Sequence, residues 1–107
     1  MDQVLFEARR VIRMHDTDST GVIYFNQIFR IACDVFEEAL EVKGFDLKTA
    51  IDSSGFMFPI VAASSDYFAP LRLSEKIKIV LTIKNMSEKS FILSSKFYIE
   101  KDNILAS

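Results

Sequence analysis

The chain has 107 residues, enough for one domain, read here as spanning residues 1–107, with a modest core. Half of the residues are apolar, ten are Phe and none is Trp, so aromatic rings must fill much of the core. Thirteen Lys and Arg stand against 15 Asp and Glu, a formal charge of −2 with no basic run, which argues against nucleic acid as a partner and leaves room for a local patch facing a small anion.

Residues 3–13 read as a strand with one buried face, because Val4, Phe6, Ala8 and Ile12 share a parity. Residues 14–23 are a polar loop. Phe25, Ile28, Phe29, Ala32, Val35, Phe36, Ala39 and Leu40 then recur at three- and four-residue spacing, an apolar stripe on a helix. Arg30, Asp34, Glu37, Glu38 and Glu41 fall on its other faces, and Lys43-Gly44 supplies the stop signal. At about 19 residues this helix is the longest the chain can form, at 1.5 Å per residue about 28 Å. Asp46 is placed to cap a short second helix that Ser53-Ser54-Gly55 ends. Phe58 to Phe68 reads as a strand closed by Ala69-Pro70. Glu75 to Lys84 is the cleanest half-buried strand, with Ile77, Ile79, Leu81 and Ile83 on one side and Lys76, Lys78, Thr82 and Lys84 on the other. Residues 85–89 form a turn. Ser90 to Glu100 alternates again, with Phe91, Leu93, Phe97 and Ile99 inward. Lys101-Asp102-Asn103 makes a hairpin turn into a strand begun by Ile104-Leu105-Ala106.

Antiparallel strands with a segregated helix make an α+β domain, a sheet wrapped around one long helix. Such a layer has a second edge to hide, which points to a homo-oligomer. No stretch approaches the roughly 18 apolar residues of a membrane span, and the start has no signal-peptide core. A single cysteine, Cys33, excludes an intrachain disulfide, and the cytoplasm is the simplest compartment.

Between the first strand and the long helix stands His15-Asp16-Thr17-Asp18-Ser19-Thr20-Gly21-Val22-Ile23-Tyr24-Phe25-Asn26. It sets two carboxylates and a glycine beside a helix N-terminus, where unpaired N–H groups carry a positive partial charge. A carboxylate beside such donors is a pairing of base or nucleophile with an oxyanion site. The run Asp16-Thr17-Asp18-x-x-Gly21-Val22-Ile23-Tyr24-Phe25-Asn26 resembles the signature of hotdog-fold acyl-CoA thioesterases of the 4-hydroxybenzoyl-CoA thioesterase type. Further on, Phe58-Pro59-Ile60-Val61-x-Ala63-Ser64-x-Asp66-Tyr67-Phe68-x-Pro70 is similar to the second-strand segment of the cyanobacterial branch, whose members hydrolyse 1,4-dihydroxy-2-naphthoyl-CoA in quinone biosynthesis. The resemblance implies a hotdog fold whose last strand is cut short here, since family members continue past the point that corresponds to Ser107. It also implies a dimer or dimer of dimers, with an acyl-CoA as substrate and no cofactor, CoA being part of the substrate.

Asp18 matches the family's catalytic carboxylate. It would attack the thioester directly or deprotonate a water, and the sequence leaves both open, as it leaves open a plain capping role. The resemblance assigns the Phe25 backbone N–H to the thioester oxygen, with Gly21 allowing close backbone approach and Tyr24 positioning loop or substrate. Asp16 reads as structural. Ser64 and Ser65 interrupt an apolar strand, where a hydroxyl would orient water or an acyl-ring substituent, or simply sit at an edge. Cys33, mid-helix beside the stripe, reads as a small buried side chain without activating neighbours, His15 is a loop residue, and the spacing of His15, Asp16 and Asp18 matches no metal motif. The Lys76, Lys78 and Lys84 row is a solvated face before it is a phosphate contact. A broad or short-chain thioesterase and a non-catalytic acyl-CoA-binding module are the alternatives. A hotdog dehydratase is disfavoured, because the usual catalytic histidine of such enzymes has no match near the helix.

Overall fold

The computed structural model describes residues 3–54, 60, 62–84 and 90–107. Its elements are β1 (Gln3–Val11), a 3₁₀ turn (Met14–Asp16), α1 (Gln27–Val42), α2 (Leu47–Ser54), β2 (Lys76–Lys84), β3 (Ile92–Ile99) and β4 (Ile104–Leu105). The strands form one antiparallel sheet in the order β1-β2-β3-β4.

The period-2 pattern of β2 puts Ile77, Ile79 and Leu81 wholly inside. Ala8 stands opposite Ile79 on β1, and Phe97 opposite Ile79 on β3. Ile28, Ile31, Val35 and Ala39 of α1 bury against this face, and Ile12, Leu71, Ile99 and Ala106 join the core. Phe29, Ala32, Phe36 and Leu40 of the expected stripe are half-buried, while Ile31 joins it from outside the expected set. Arg10 shares the inward parity of β1, and α1 meets it with Asp34 and Glu38, 3.2 and 3.0 Å from its guanidinium.

Some boundaries move. The strand expected over residues 3–13 ends at Val11, and Val4 is exposed, because a register shift between Val4 and Phe6 breaks the alternation. The long helix starts at Gln27, with Phe25 and Asn26 in a turn before it. It ends as expected: Gly44 takes a φ of +84°, its N–H donates to Glu41 and the Phe45 N–H to Leu40, a Schellman closure. Asp46 accepts from the backbone and hydroxyl of Thr49 as the cap of α2. Gly55, Phe58 and the turn at residues 85–89 lie outside the described residues.

The strand expected from Phe58 to Phe68 is not formed over residues 62–68. A strand needs a ladder, and among the described residues this segment's backbone N–H groups meet the chain beyond β4 only at the segment's end. There the N–H groups of Phe68 and Ala69 donate to the Ala106 carbonyl at 2.8 and 3.2 Å. The apolar run is real, but over the described residues no ladder forms along it.

Candidate functional site

The polar loop folds as a small hairpin. Thr17 pairs with Ile23, the Asp18 N–H donates to the Val22 carbonyl at 2.9 Å, and the Gly21 N–H closes the turn onto the Asp18 carbonyl. Gly21 has a φ of +79°, which only glycine adopts without strain. The returning limb is held from its other side, with Ile23 N–H on the Leu71 carbonyl at 2.7 Å and Leu73 N–H on that of Gly21 at 2.8 Å. Because Leu71 is a core residue, the hairpin is fastened to the core.

Asp18 is exposed, and its two oxygens differ. Oδ1 accepts from the Thr20 hydroxyl at 2.6 Å, the Thr20 N–H at 2.8 Å and, more distantly, the Val22 N–H. Oδ2 meets no donor among the described residues. The Thr20 hydroxyl and then its N–H favour the charged form and hold the Asp18 carboxyl below its ordinary value. The loop-capping reading is therefore correct as geometry, and it leaves one anionic oxygen free in a fixed orientation.

Asp16 points the other way. Its buried carboxylate accepts from the Arg13 N–H at 2.9 Å, pairs with Arg30 in the first turn of α1, and lies 3.3 Å from His15 Nε2. Its carbonyl accepts the Tyr24 N–H. Asp16 thus joins the strand end, the loop and the helix start.

At the start of α1 the Tyr24 carbonyl accepts from Gln27 N–H at 2.9 Å. The peptide is trans, so the Phe25 N–H on its opposite side points away from the helix body. That N–H has no acceptor among the described residues, and the Asn26 side chain makes no capping bond. A free carboxylate oxygen and an open helix-start amide therefore sit at the two ends of one short hairpin. The Tyr24 and Phe25 rings, 5.1 Å apart, are exposed beside them.

The structure thus gathers Asp18, Gly21, Tyr24 and Phe25 on one hairpin. It does not link Ser64 or Ser65 to it: Ser64 is exposed, and the Ser65 hydroxyl bonds that of Ser107 at 2.9 Å. Two residues on, the Tyr67 hydroxyl donates to the Phe25 carbonyl at 2.7 Å. No local sequence pattern ties these two residues, which lie 42 positions apart. Cys33 is exposed on α1, and Lys78 lies 5.2 Å from the ring centre of Tyr98. Among the described residues no three His, Cys, Asp and Glu side chains are grouped to hold a metal ion, and no helix is long and apolar enough to cross a membrane.

The model of the thioesterase-like superfamily matches residues 12–107. A 1,4-dihydroxy-2-naphthoyl-CoA hydrolase of Crocosphaera subtropica is 37% identical over 93 residues, 87% of this chain and 68% of that protein. One of Rippkaea orientalis is 39% identical over 82 residues, 77% of this chain and 59% of that protein. The crystal structure of a 1,4-dihydroxy-2-naphthoyl-CoA thioesterase from Synechocystis superposes with a TM-score of 0.88 at 30% identity, over 94% of this chain and 74% of that one. The chain therefore belongs to the thioesterase-like superfamily and has its hotdog fold, a long helix packed on an antiparallel sheet.

Proposed function

We propose that the protein hydrolyses an aromatic acyl-CoA to a carboxylic acid and free CoA, with 1,4-dihydroxy-2-naphthoyl-CoA as the first substrate to try. The observation that carries this reading is that, among the described residues, Asp18 keeps one carboxylate oxygen without a donor and the Phe25 amide is without an acceptor, on a hairpin and the helix start that follows it. The amide supplies a donor where negative charge develops on the thioester oxygen. Asp18 either attacks the carbonyl carbon, expelling the CoA thiolate and leaving a mixed anhydride that water opens, or takes a proton from the water that attacks. The acyl ring lies against Tyr24 and Phe25, and no cofactor takes part. The relatives named for dihydroxynaphthoyl-CoA support the choice of acyl group.

The working form in this reading is a homo-oligomer, a dimer or dimer of dimers. Exposed Tyr24, Phe25, Tyr67 and Phe68 and the unladdered segment 62–68 support it, because a second copy would cover both. The reaction is placed in the cytoplasm, where the lone thiol of Cys33 stays reduced.

The test is release of CoA thiol from benzoyl, dihydroxynaphthoyl and short aliphatic thioesters by the wild type and by Asp18→Asn. Turnover that favours the aromatic substrates and falls at least a hundredfold in the variant, with binding kept, supports the reading. Turnover that survives the substitution removes Asp18 from the chemistry. Equal turnover of short aliphatic thioesters moves the assignment to a broad thioesterase. Binding without turnover makes the protein an acyl-CoA-binding module.

A further inference from the structure

The amide that faces the substrate belongs to a turn, and a turn is a weak platform unless its peptide planes are fixed. Two bonds fix them. The Tyr24–Phe25 plane is held by Gln27 N–H on the Tyr24 carbonyl. The Phe25–Asn26 plane is held by the Tyr67 hydroxyl on the Phe25 carbonyl, at 2.7 Å. The second bond comes from outside the hairpin and outside α1, on the segment that runs from α2 toward β2. Its acceptor is one the helix does not use: Gln27 donates to Tyr24, and Phe29 to Asn26. Tyr67 itself is anchored nearby, because Phe68 and Ala69 donate to the Ala106 carbonyl.

We infer that Tyr67 is a positioning residue for the thioester carbonyl, acting by clamping the Phe25 peptide at the start of α1. The inference rests on the hydrolase reading above. The phenol does not touch the reacting atoms. It limits rotation about the Phe25 φ and ψ angles, so the Phe25 N–H stays aimed at the developing oxyanion. Its donation to the carbonyl also polarises the Asn26 N–H of the same peptide, making a second, adjacent donor stronger. Both effects weigh more on the transition state, where charge sits on the oxygen, than on the ground state.

Tyr67→Phe keeps the ring and removes only the donor. Losing an oxyanion donor outright costs about a hundredfold or more in kcat, and loosening one costs less. We expect kcat to fall about tenfold with KM within about twofold, since acyl and CoA contacts are untouched. The second readout is the carbonyl stretch of an aromatic acyl-CoA bound to Asp18→Asn, where turnover is blocked. Adding Tyr67→Phe should move that stretch toward the value of the free thioester, which a merely structural hydroxyl would not do. An unchanged kcat and stretch in Tyr67→Phe, beside an active wild type, overturn the positioning role and leave the hydrolase reading standing. A raised KM with kcat unchanged also overturns it, by making Tyr67 a binding residue. A wild type that turns over no acyl-CoA overturns the hydrolase reading and this inference with it.

Discussion

Replacing Asp16 by Ala separates the two aspartates of the loop, because its cost falls on folding. Asp16 is 4% exposed, and its carboxylate serves the Arg13 N–H at 2.9 Å and the Arg30 guanidinium. Truncation orphans the partly buried Arg13 N–H, a loss of about 1–2 kcal/mol. Arg30 is half exposed, 49% at the side chain, so its guanidinium recovers water and the broken pair adds only about 1 kcal/mol. The sum is about 2–3 kcal/mol, which for a domain of this size lowers Tm by roughly 10–20 °C. Asp16→Asn keeps an oxygen for the Arg13 N–H and loses only the charge, so about 1 kcal/mol is expected. Thermal and urea unfolding followed by circular dichroism measure both. A loss below about 0.5 kcal/mol in Asp16→Ala, or an equal loss in the two variants, would refute the reasoning, because the bond to the Arg13 N–H is what distinguishes them.

Two further substitutions address the hairpin. Thr20→Val removes the hydroxyl that does most to hold Asp18 below its ordinary value, so the Asp18 pKa should rise and the acid limb of kcat/KM move to higher pH; an unmoved limb would show that another group sets it. By linkage, the lowered folded value contributes stability above the ordinary aspartate pKa that is lost as pH falls through the folded one, and Thr20→Val should shrink that loss in acid unfolding. Gly21→Ala meets nothing within 4 Å of its new Cβ, so its cost is the backbone strain of a φ of +79°, about 1–2 kcal/mol by thermal unfolding; Gly21→Asn, which tolerates that region better, should cost less.

The fold was legible wherever order is local. The inward row Ile77, Ile79 and Leu81 is a period-2 pattern, and the closure at Lys43-Gly44 needs only the glycine and the carbonyls three and four residues back. The segment from Phe58 to Phe68 shows the limit. Its apolar character is a property of the sequence, but whether it pairs depends on a neighbour that the sequence does not name. Over the described residues that ladder is not formed. Val4 failed for a related reason: a register shift between strands is set by the pairing partner, which the alternation of one strand cannot reveal.

The site divides along the same line. Asp18, Gly21 and Phe25 lie within eight residues, and what relates them is turn geometry, which composition encodes directly: a side chain that caps its own loop, a glycine at positive φ, a helix that starts where the loop ends. Tyr67 lies 42 residues from Phe25, and nothing in its strand-like context distinguishes it from Ser64 or Ser65, which also bear hydroxyls in the apolar run. The distinction is one of reach. Ser65 has a short side chain and meets Ser107, the residue beside it in the fold, whereas a phenol spans the gap to the helix start. A donor needed at the Phe25 carbonyl is better supplied from there than from the hairpin, since a donor within the hairpin would move with the peptide it has to hold. The proposed catalytic pair is thus local in sequence, and the hydrogen bond at the Phe25 carbonyl comes from a distant segment.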